Sequence, residues 1–235
     1  MLESLRNKKI LVIVAHPDDE ILGIGGTINK LVNSYGCEIK VLILGEGITS
    51  RGNQMKNKNK KDLELHKAVI KKAQSILGYQ QLEYYDLPDN RFDTVPLLEI
   101  IKIIESEKIK FKPSIVFTHH GGDLNIDHQK TFEAVITAFR PLKDEIVNTI
   151  ITFETFSSTE WIPSSDLRKF NPNLFITLDE NNIKTKVNSM ESYSFEKREY
   201  PHPRSSKAIK LKAEIWGVSV GKKYAEAFEI IKLIQ

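Results

Sequence analysis

Two clusters of histidine and carboxylate residues could do chemistry in this sequence of 235 residues. The first is HPDDE, residues 16–20, and the second is HHGGDLNIDH, residues 119–128. His16 and Asp19 are three residues apart at the start of a predicted helix, so their side chains can face the same point. With His128 from the second cluster, the set becomes two histidines and one carboxylate. Three protein ligands with an open coordination position are typical of a hydrolytic zinc site.

Asp18 and Asp127 stand beside these three candidate ligands without being needed as ligands themselves. A carboxylate in the position of Asp18 can take a proton from water as a general base. Asp127 can orient a neighbouring imidazole or amide. Alternatively, HPDDE is a capped helix with an acidic first turn. That interpretation would account for a single cluster, but two clusters at the ends of two strands favour a metal site. His119 and His120 are expected to be structural, with a further metal ligand as the alternative.

Both clusters follow short apolar runs and precede predicted helices. The runs 10–15 and 114–118 are typical of buried strands, and the helices after them are predicted at 21–35 and 130–139. Ligands of an open α/β sheet bind beyond the carboxyl ends of its strands, where the order of neighbouring strands reverses. The two clusters can therefore meet at one edge of a sheet.

The rest of the chain continues the alternation of strands and helices. Further strands are predicted at 38–44, 82–85, 149–154 and 174–178, and further helices at 62–77, 95–109, 179–193 and 207–220. No repeat or linker divides the chain, so we predict one α/β domain over residues 1–235, with three layers and a mostly parallel sheet. The glycines at 23, 25 and 26 favour close packing of a helix or the approach of a ligand.

Composition excludes several classes of function. The net charge of +3 is too small to indicate nucleic-acid binding, and no apolar run is long enough to span a membrane. The apolar run near the N-terminus is too short for the core of a signal peptide. The single cysteine, Cys37, is interpreted as a small core residue and fits a reducing compartment, so we predict a cytoplasmic protein.

AHPDDE, residues 15–20, together with HHGGDLNIDH, resembles the zinc-dependent N-deacetylases of the PIG-L/LmbE-like family. Softer similarity lies in LPDNRFD, FETFSSTEW, PHPRS and GKKYAEAF, so that the resemblance covers nearly the whole chain. It implies a Rossmann-like fold, with zinc held by His16, Asp19 and His128 and with Asp18 as the general base. It also implies removal of an acetyl group from sugars of the N-acetylglucosamine type.

One position departs from that family. Many members have HPDH where this chain has NIDH, and the first histidine of HPDH polarises the amide carbonyl and its oxyanion. Asn125 stands there instead. It can donate a hydrogen bond to an oxyanion, but it cannot protonate the departing amine. We predict His202 of PHPRS as the acid, with return of the proton by Asp18 as the alternative. Arg51 and Asp89 lie in segments that resemble the substrate-binding loops of the family.

The sequence therefore predicts a hydrolase that binds one Zn2+ per chain, or another divalent metal, and takes a small amino-sugar substrate. No nucleic acid or membrane span is expected, and a homo-oligomer is left open. Two alternatives remain: a metal-dependent amidase acting on a non-sugar N-acyl substrate, and a non-catalytic module that binds a metal or a nucleotide. The intact Asp18 favours catalysis, since a pure metal site does not need it.

Overall fold

The computed structural model of the protein describes residues 2–47, 60–163, 165–194 and 196–234. In those ranges the strands are β1 (Lys9–Val14), β2 (Glu38–Gly45), β3 (Gln81–Leu87), β4 (Ile115–His119), β5 (Thr149–Phe153), β6 (Leu174–Leu178) and β7 (Tyr224–Leu233). The helices are α1 (Asp19–Tyr35), α2 (Lys60–Leu77), α3 (Leu97–Phe111), α4 (Ile126–Ala138), α5 (Glu180–Glu191) and α6 (Ser206–Ser219). None of these helices has the length and apolar character needed to cross a membrane.

All seven strands form one sheet in the order β3-β2-β1-β4-β5-β7-β6. The first five strands run parallel to one another, and β7 is antiparallel to both β5 and β6. Apolar residues of α1, α2, α5 and α6 pack on one face of the sheet, and those of α3 and α4 pack on the other. The predicted three-layer α/β fold with a mostly parallel sheet is confirmed, and β3-β2-β1-β4-β5 follows a doubly wound order.

Strand β1 lies at the centre of this sheet and is buried on both faces. Ile10, Val12 and Val14 belong to one apolar core, and Leu11 and Ile13 belong to the other. A strand covered on both faces has a continuous apolar sequence rather than an alternating one. This burial explains the apolar run that precedes HPDDE.

The order of the strands brings the two clusters together. β2 pairs with one side of β1 and β4 with the other, so the strand order reverses at β1. A crevice opens beyond the carboxyl ends of strands at such a point. HPDDE follows β1 and HHGGD begins at the last residue of β4, so both clusters lie at this crevice.

Helix α4 begins at Ile126, four residues before the predicted start. Asn125 caps it, since its side-chain Oδ1 accepts a hydrogen bond of 2.8 Å from the backbone N–H of Asp127. Asp127 and His128 are therefore held in the first turn of a helix rather than in a loop. Strand β7 was not among the predicted elements, and it pairs between β5 and β6.

The glycines of α1 allow close packing against the rest of the fold. A Cβ atom on Gly23 would lie 2.1 Å from the ring of Phe153, and one on Gly26 would lie 2.5 Å from Cδ1 of Leu178. Of the two roles considered for these glycines, close packing of the helix is the one that the contacts account for. Cys37 is buried, as expected, and its Sγ donates to the carbonyl of Leu5.

Candidate active site

Three buried side chains converge at the crevice: His16 after β1, Asp19 at the start of α1 and His128 in the first turn of α4. The Oδ2 atom of Asp19 lies 3.5 Å from Nδ1 of His16 and 3.3 Å from Nε2 of His128. The three residues for which the sequence predicts metal ligation are thus brought together. Within the described ranges they form a group whose ligand atoms are close enough to share one ion.

The chemistry of this group fits a divalent metal. The Oδ1 atom of Asp19 is buried and has no hydrogen-bond partner among the residues that the structure describes. Burial disfavours protonated imidazoles, yet the surrounding carboxylates raise the pKa of His16 to about 9 and that of His128 to about 10. The site therefore favours positive charge, as expected where a cation binds. Two imidazole nitrogens and one carboxylate are ligands that zinc accepts.

Asp127 supports His16. Its Oδ2 accepts a hydrogen bond of 2.8 Å from Nε2 of His16, which leaves the Nδ1 atom facing Asp19. The same carboxylate accepts from the backbone N–H groups of Asn90 and Phe92, at 2.6 and 2.9 Å. Asp127 thus makes the kind of contact that orients a metal-binding imidazole, the role predicted for it. Because its oxygens are occupied, the neighbouring group of His16, Asp89 and Asp127 suits a metal less well.

Asp123 lies beside His128, as Asp127 lies beside His16. Asp123 was not among the residues singled out from the sequence. Its Oδ1 lies 3.1 Å from Nδ1 of His128, which leaves Nε2 facing Asp19. The hydroxyl groups of Ser158 and Thr159 donate hydrogen bonds to Asp123. Burial alone would raise the pKa of Asp123, but the charge of His128 and these contacts outweigh burial, and the pKa falls to about 2. A carboxylate five residues before a candidate ligand was the available signal.

His119 and His120 have structural partners. Nε2 of His119 accepts from the backbone N–H of Ala15, and its Nδ1 bonds to the hydroxyl of Thr155, each at 2.9 Å. Burial and the charge of His128 lower the pKa of His119 to about 3, so the ring is neutral. His120 bonds to Glu229 through Nδ1 and to the carbonyl of Arg168 through Nε2.

Asp18 stands at the edge of the metal-binding group in an unusual backbone conformation. Its φ of 89° places a non-glycine residue in the left-handed region, which costs about 1–3 kcal/mol and recurs at functional sites. Its side chain does not cap α1, although Asp18 occupies the N-cap position. Burial raises the pKa of Asp18 to about 7, an effect that the charge of Arg204 opposes.

Arg204 holds the Asp18 carboxylate and was missed by the sequence analysis. One of its terminal nitrogens donates to Oδ2 of Asp18 at 2.8 Å and to Oε2 of Glu196 at 2.7 Å, and its Nε donates to the hydroxyl of Ser157. The available signal was the arginine of PHPRS, the motif in which the sequence favoured His202. The ring of His202 lies edge-on against Trp161, and its Nδ1 accepts from the backbone N–H of Arg204.

A cavity of about 120 Å³ opens beside these groups. The described residues that line it are His16, Pro17, Asp18, Gly47, Asp89, Asn90, Asn125, Glu196 and Arg204. Oδ1 of Asp89 lies 3.3 Å from Nε2 of His16, and Nδ2 of Asn125 donates to Oδ1 of Asn90 at 3.2 Å. Asp89 and Asn125, for which the sequence predicts contacts with the substrate, thus lie in the wall of this cavity. His202, the predicted acid, is not among the lining residues. Arg51 lies outside the described residues.

Comparison with known proteins gives a family match over more than half of the chain. The model of the family described as PIG-L, GlcNAc-PI de-N-acetylase, matches residues 11–139. A Bacillus anthracis protein named probable N-acetyl-alpha-D-glucosaminyl L-malate deacetylase 2 is 26% identical over 147 residues, 60% of this chain and 63% of that protein. The diacetylchitobiose deacetylase of Thermococcus kodakarensis is 33% identical over 104 residues, 43% of this chain and 38% of that enzyme. The alignments span less than two thirds of either relative.

Solved structures share the fold over nearly the whole chain. The N,N'-diacetylchitobiose deacetylase of Pyrococcus horikoshii superposes with a TM-score of 0.75 at 18% identity, covering 96% of this chain and 84% of that one. The 4-carboxy-2-hydroxymuconate hydratase GalB of Pseudomonas putida also gives 0.75, at 17% identity, covering 97% and 98%. Because a deacetylase and a hydratase match equally well, this likeness identifies the fold alone.

Proposed function

The chain belongs to the PIG-L family, and we propose that it is a zinc-dependent hydrolase that removes the acetyl group from an N-acetylated amino sugar. One water is consumed for each amide bond that breaks, and the products are acetate and a free amine. The proposal rests on the convergence of His16, Asp19 and His128 beside Asp18 in a polar cavity.

His16 Nδ1, the Asp19 carboxylate and His128 Nε2 are the atoms that would hold the zinc ion. When bound, zinc supplies Lewis acidity, which polarises a carbonyl group and acidifies water. Asp127 accepts a hydrogen bond from Nε2 of His16, and Oδ1 of Asp123 lies 3.1 Å from Nδ1 of His128, so that each carboxylate orients an imidazole whose other nitrogen would face the metal. Three protein ligands leave room for water and for the amide carbonyl.

Asp18 is the proposed general base. It takes a proton from the attacking water, and the bond from Arg204 keeps its carboxylate turned toward the cavity. The amine nitrogen needs a proton as the C–N bond breaks, and Asp18 can return the one that it took. His202 remains the proposed alternative donor. Nδ2 of Asn125 carries two hydrogens and donates one to Asn90, so the other is available for the oxyanion, while Oδ1 caps α4.

The substrate proposal follows from the lining of the cavity. A volume of about 120 Å³ is well above the space that one water molecule needs, so the cavity can admit a small acyl group. Asp89 and Asn90 offer carboxylate and amide groups that can bond to sugar hydroxyls, and we propose Arg51 as a further contact with the substrate. A polar lining with few apolar side chains suits a sugar better than an apolar acyl amide.

Release of acetate by metal-analysed protein tests the proposal. We expect N-acetylglucosamine glycosides or nucleotide-linked N-acetyl sugars to yield acetate and primary amine in equal amounts, with activity lost on chelation and restored by zinc. Asp18→Asn is the matched control, because it keeps all three ligands and should lower turnover by about 10²-fold or more. Faster cleavage of acetylated non-sugar amines would favour the amidase alternative. Metal binding without acetate release from any substrate would favour a non-catalytic module.

A further inference from the structure

A buried ion pair lies against the middle of α1, away from the candidate ligands. Lys186 of α5 and Glu226 of β7 form it, with 2.6 Å between Nζ and Oε1. The two side chains are 2% and 5% exposed. Buried ion pairs add little stability compared with well-packed apolar residues, so the pair calls for another explanation.

Both members of the pair bind the backbone of α1. The Glu226 carboxylate accepts hydrogen bonds from the N–H groups of Gly26, at 3.0 Å, and Thr27, at 2.7 Å. Nζ of Lys186 donates to the carbonyl of Leu22 at 2.8 Å. In a regular α-helix the N–H of residue 26 bonds to the carbonyl of residue 22. Each of these two groups also has a charged partner from outside the helix.

Gly26 lets the carboxylate reach the helix. A Cβ atom at this position would lie 3.2 Å from Oε1 of Glu226, tighter than ordinary van der Waals contact. The glycine, the carboxylate and the ammonium therefore form one unit at a single turn of α1. The segment Asp19–Gly25, which begins with a candidate ligand, leads directly into this turn.

The pair also contacts the loop that supports the other half of the site. Nζ of Lys186 lies 5.0 Å from the centre of the Phe156 ring. The next two residues are Ser157, which accepts from Arg204, and Ser158, which donates to Asp123. Asp123 in turn lies against His128. The ion pair thus contacts α1, which begins with Asp19, and Phe156, which directly precedes the two serines that bond to Arg204 and Asp123.

We propose that Lys186 and Glu226 are positioning residues, which set the place of the first turn of α1 and of the 156–158 loop and thereby the spacing of the metal ligands. This inference rests on the proposed metal site. Neither residue touches the cavity or the ligands, so any effect on the metal must pass through α1 or the loop.

The test compares two double variants that each remove both charges of a buried Lys–Glu pair. Lys186→Met with Glu226→Gln removes the pair on α1 but leaves an amide oxygen to accept one backbone bond. Lys40→Met with Glu107→Gln removes the pair between β2 and α3, on the other side of the sheet. The zinc dissociation constant is measured by competition with a chelating indicator, and the unfolding of each metal-free protein is followed in urea.

We expect the first double variant to bind zinc about 10-fold to 100-fold more weakly than wild type, the range for residues that orient ligands. The second should bind as wild type does even if it loses comparable stability. Zinc affinity within twofold of wild type in the first variant overturns the proposal. If that variant does not fold, Glu226→Asp decides instead, since a shorter carboxylate cannot hold both N–H groups. An unchanged affinity there overturns the proposal equally.

If the wild-type protein binds no metal, the proposed function is refuted. The positioning role is then tested by a second measurement. Amide hydrogen exchange of Asp19–Gly25 in metal-free protein reports the order of that turn. Removal of the α1 pair should speed exchange there at least tenfold more than removal of the Lys40–Glu107 pair. Equal exchange in both variants overturns the positioning role.

Discussion

Replacing Arg204 with methionine should remove a contact that positions Asp18 and leave metal binding unchanged. Within the described part of the chain, the guanidinium makes three hydrogen bonds to side chains, and one of them goes to Asp18, the proposed base. A hydrogen bond to a charged group contributes about 1.5–3 kcal/mol. If that bond is needed to hold the base in the transition state, kcat should fall by about 10-fold to 150-fold. Zinc content should stay at the wild-type level, because none of the three bonds goes to a ligand.

The assay combines kcat, KM, metal content and unfolding in urea for Arg204→Met, Arg204→Lys and Arg140→Met. Lysine keeps the charge, but one ammonium cannot reproduce the planar guanidinium, so we expect an intermediate kcat. Arg140 is a half-exposed arginine paired with Glu105, and its loss controls for the removal of an arginine. Loss of one partner from a buried pair can cost about 3–5 kcal/mol of stability, so the rates must be measured under conditions in which each variant is folded.

A double-mutant cycle with Asp18→Asn decides whether Arg204 acts through the base. If it does, adding Arg204→Met to the Asp18→Asn enzyme should change kcat by less than about threefold, since residues in one network do not act additively. An equal loss in both backgrounds would refute the reasoning and give Arg204 a separate role, such as contact with the substrate.

Three further predictions concern histidines of the site and its surroundings. His128→Ala should reduce bound zinc from about one per chain to nearly none by elemental analysis, and full occupancy would remove His128 from the ligand set. His202→Ala should lower kcat at unchanged zinc content if His202 is the acid, whereas a wild-type kcat would return that role to Asp18. The third prediction concerns His120. Burial alone would lower the pKa of this histidine, but its contact with Glu229 raises it. The ion pair therefore stabilises the fold fully below pH 6.5, and this stabilisation is lost as the pH rises through the raised pKa. The stability difference between wild type and His120→Gln should therefore shrink by about 1 kcal/mol from pH 6 to pH 9 in urea unfolding, and a constant difference would exclude the ion pair.

The convergence of the candidate ligands could be predicted from sequence because they lie within a few residues of the strands that place them. The apolar run of β1 and the run before His119 indicate strands buried on both faces, and parallel strands present their carboxyl ends at one edge of a sheet. His16 and Asp19 then follow within one turn of chain. Little freedom remains between the end of a strand and the first turn of the next helix, so local pattern suffices there.

The supports of the site could not be predicted in the same way, since they come from distant parts of the chain. The bond from Arg204 to Asp18 joins residues 186 positions apart, and its geometry depends on how the PHPRS segment folds over the crevice. Chemistry alone favoured the imidazole of His202 over the neighbouring guanidinium. Asp123 precedes His128 by only five residues, but it is the fold of the intervening turn that places its carboxylate against the imidazole. Strand β7 follows the last predicted helix, and its sequence does not predict it because AEAFEI alternates only in part.

Deacetylases and a hydratase share this fold, so the fold does not distinguish the two reactions. The reactions differ in where the proton taken from water must go. Both reactions begin with water that loses a proton to a base, but amide hydrolysis must deliver a proton to a departing nitrogen, whereas hydration expels no amine. The group that stores the proton therefore has to face both the water and the leaving atom. Asp18 has the features of such a store: it is buried, its backbone is held in the left-handed region and Arg204 fixes its carboxylate at the cavity wall. An Asp18→Asn protein that keeps its zinc and still binds an N-acetyl sugar, but releases acetate about 10²-fold or more slowly, would tie the chemistry of this chain to that one proton.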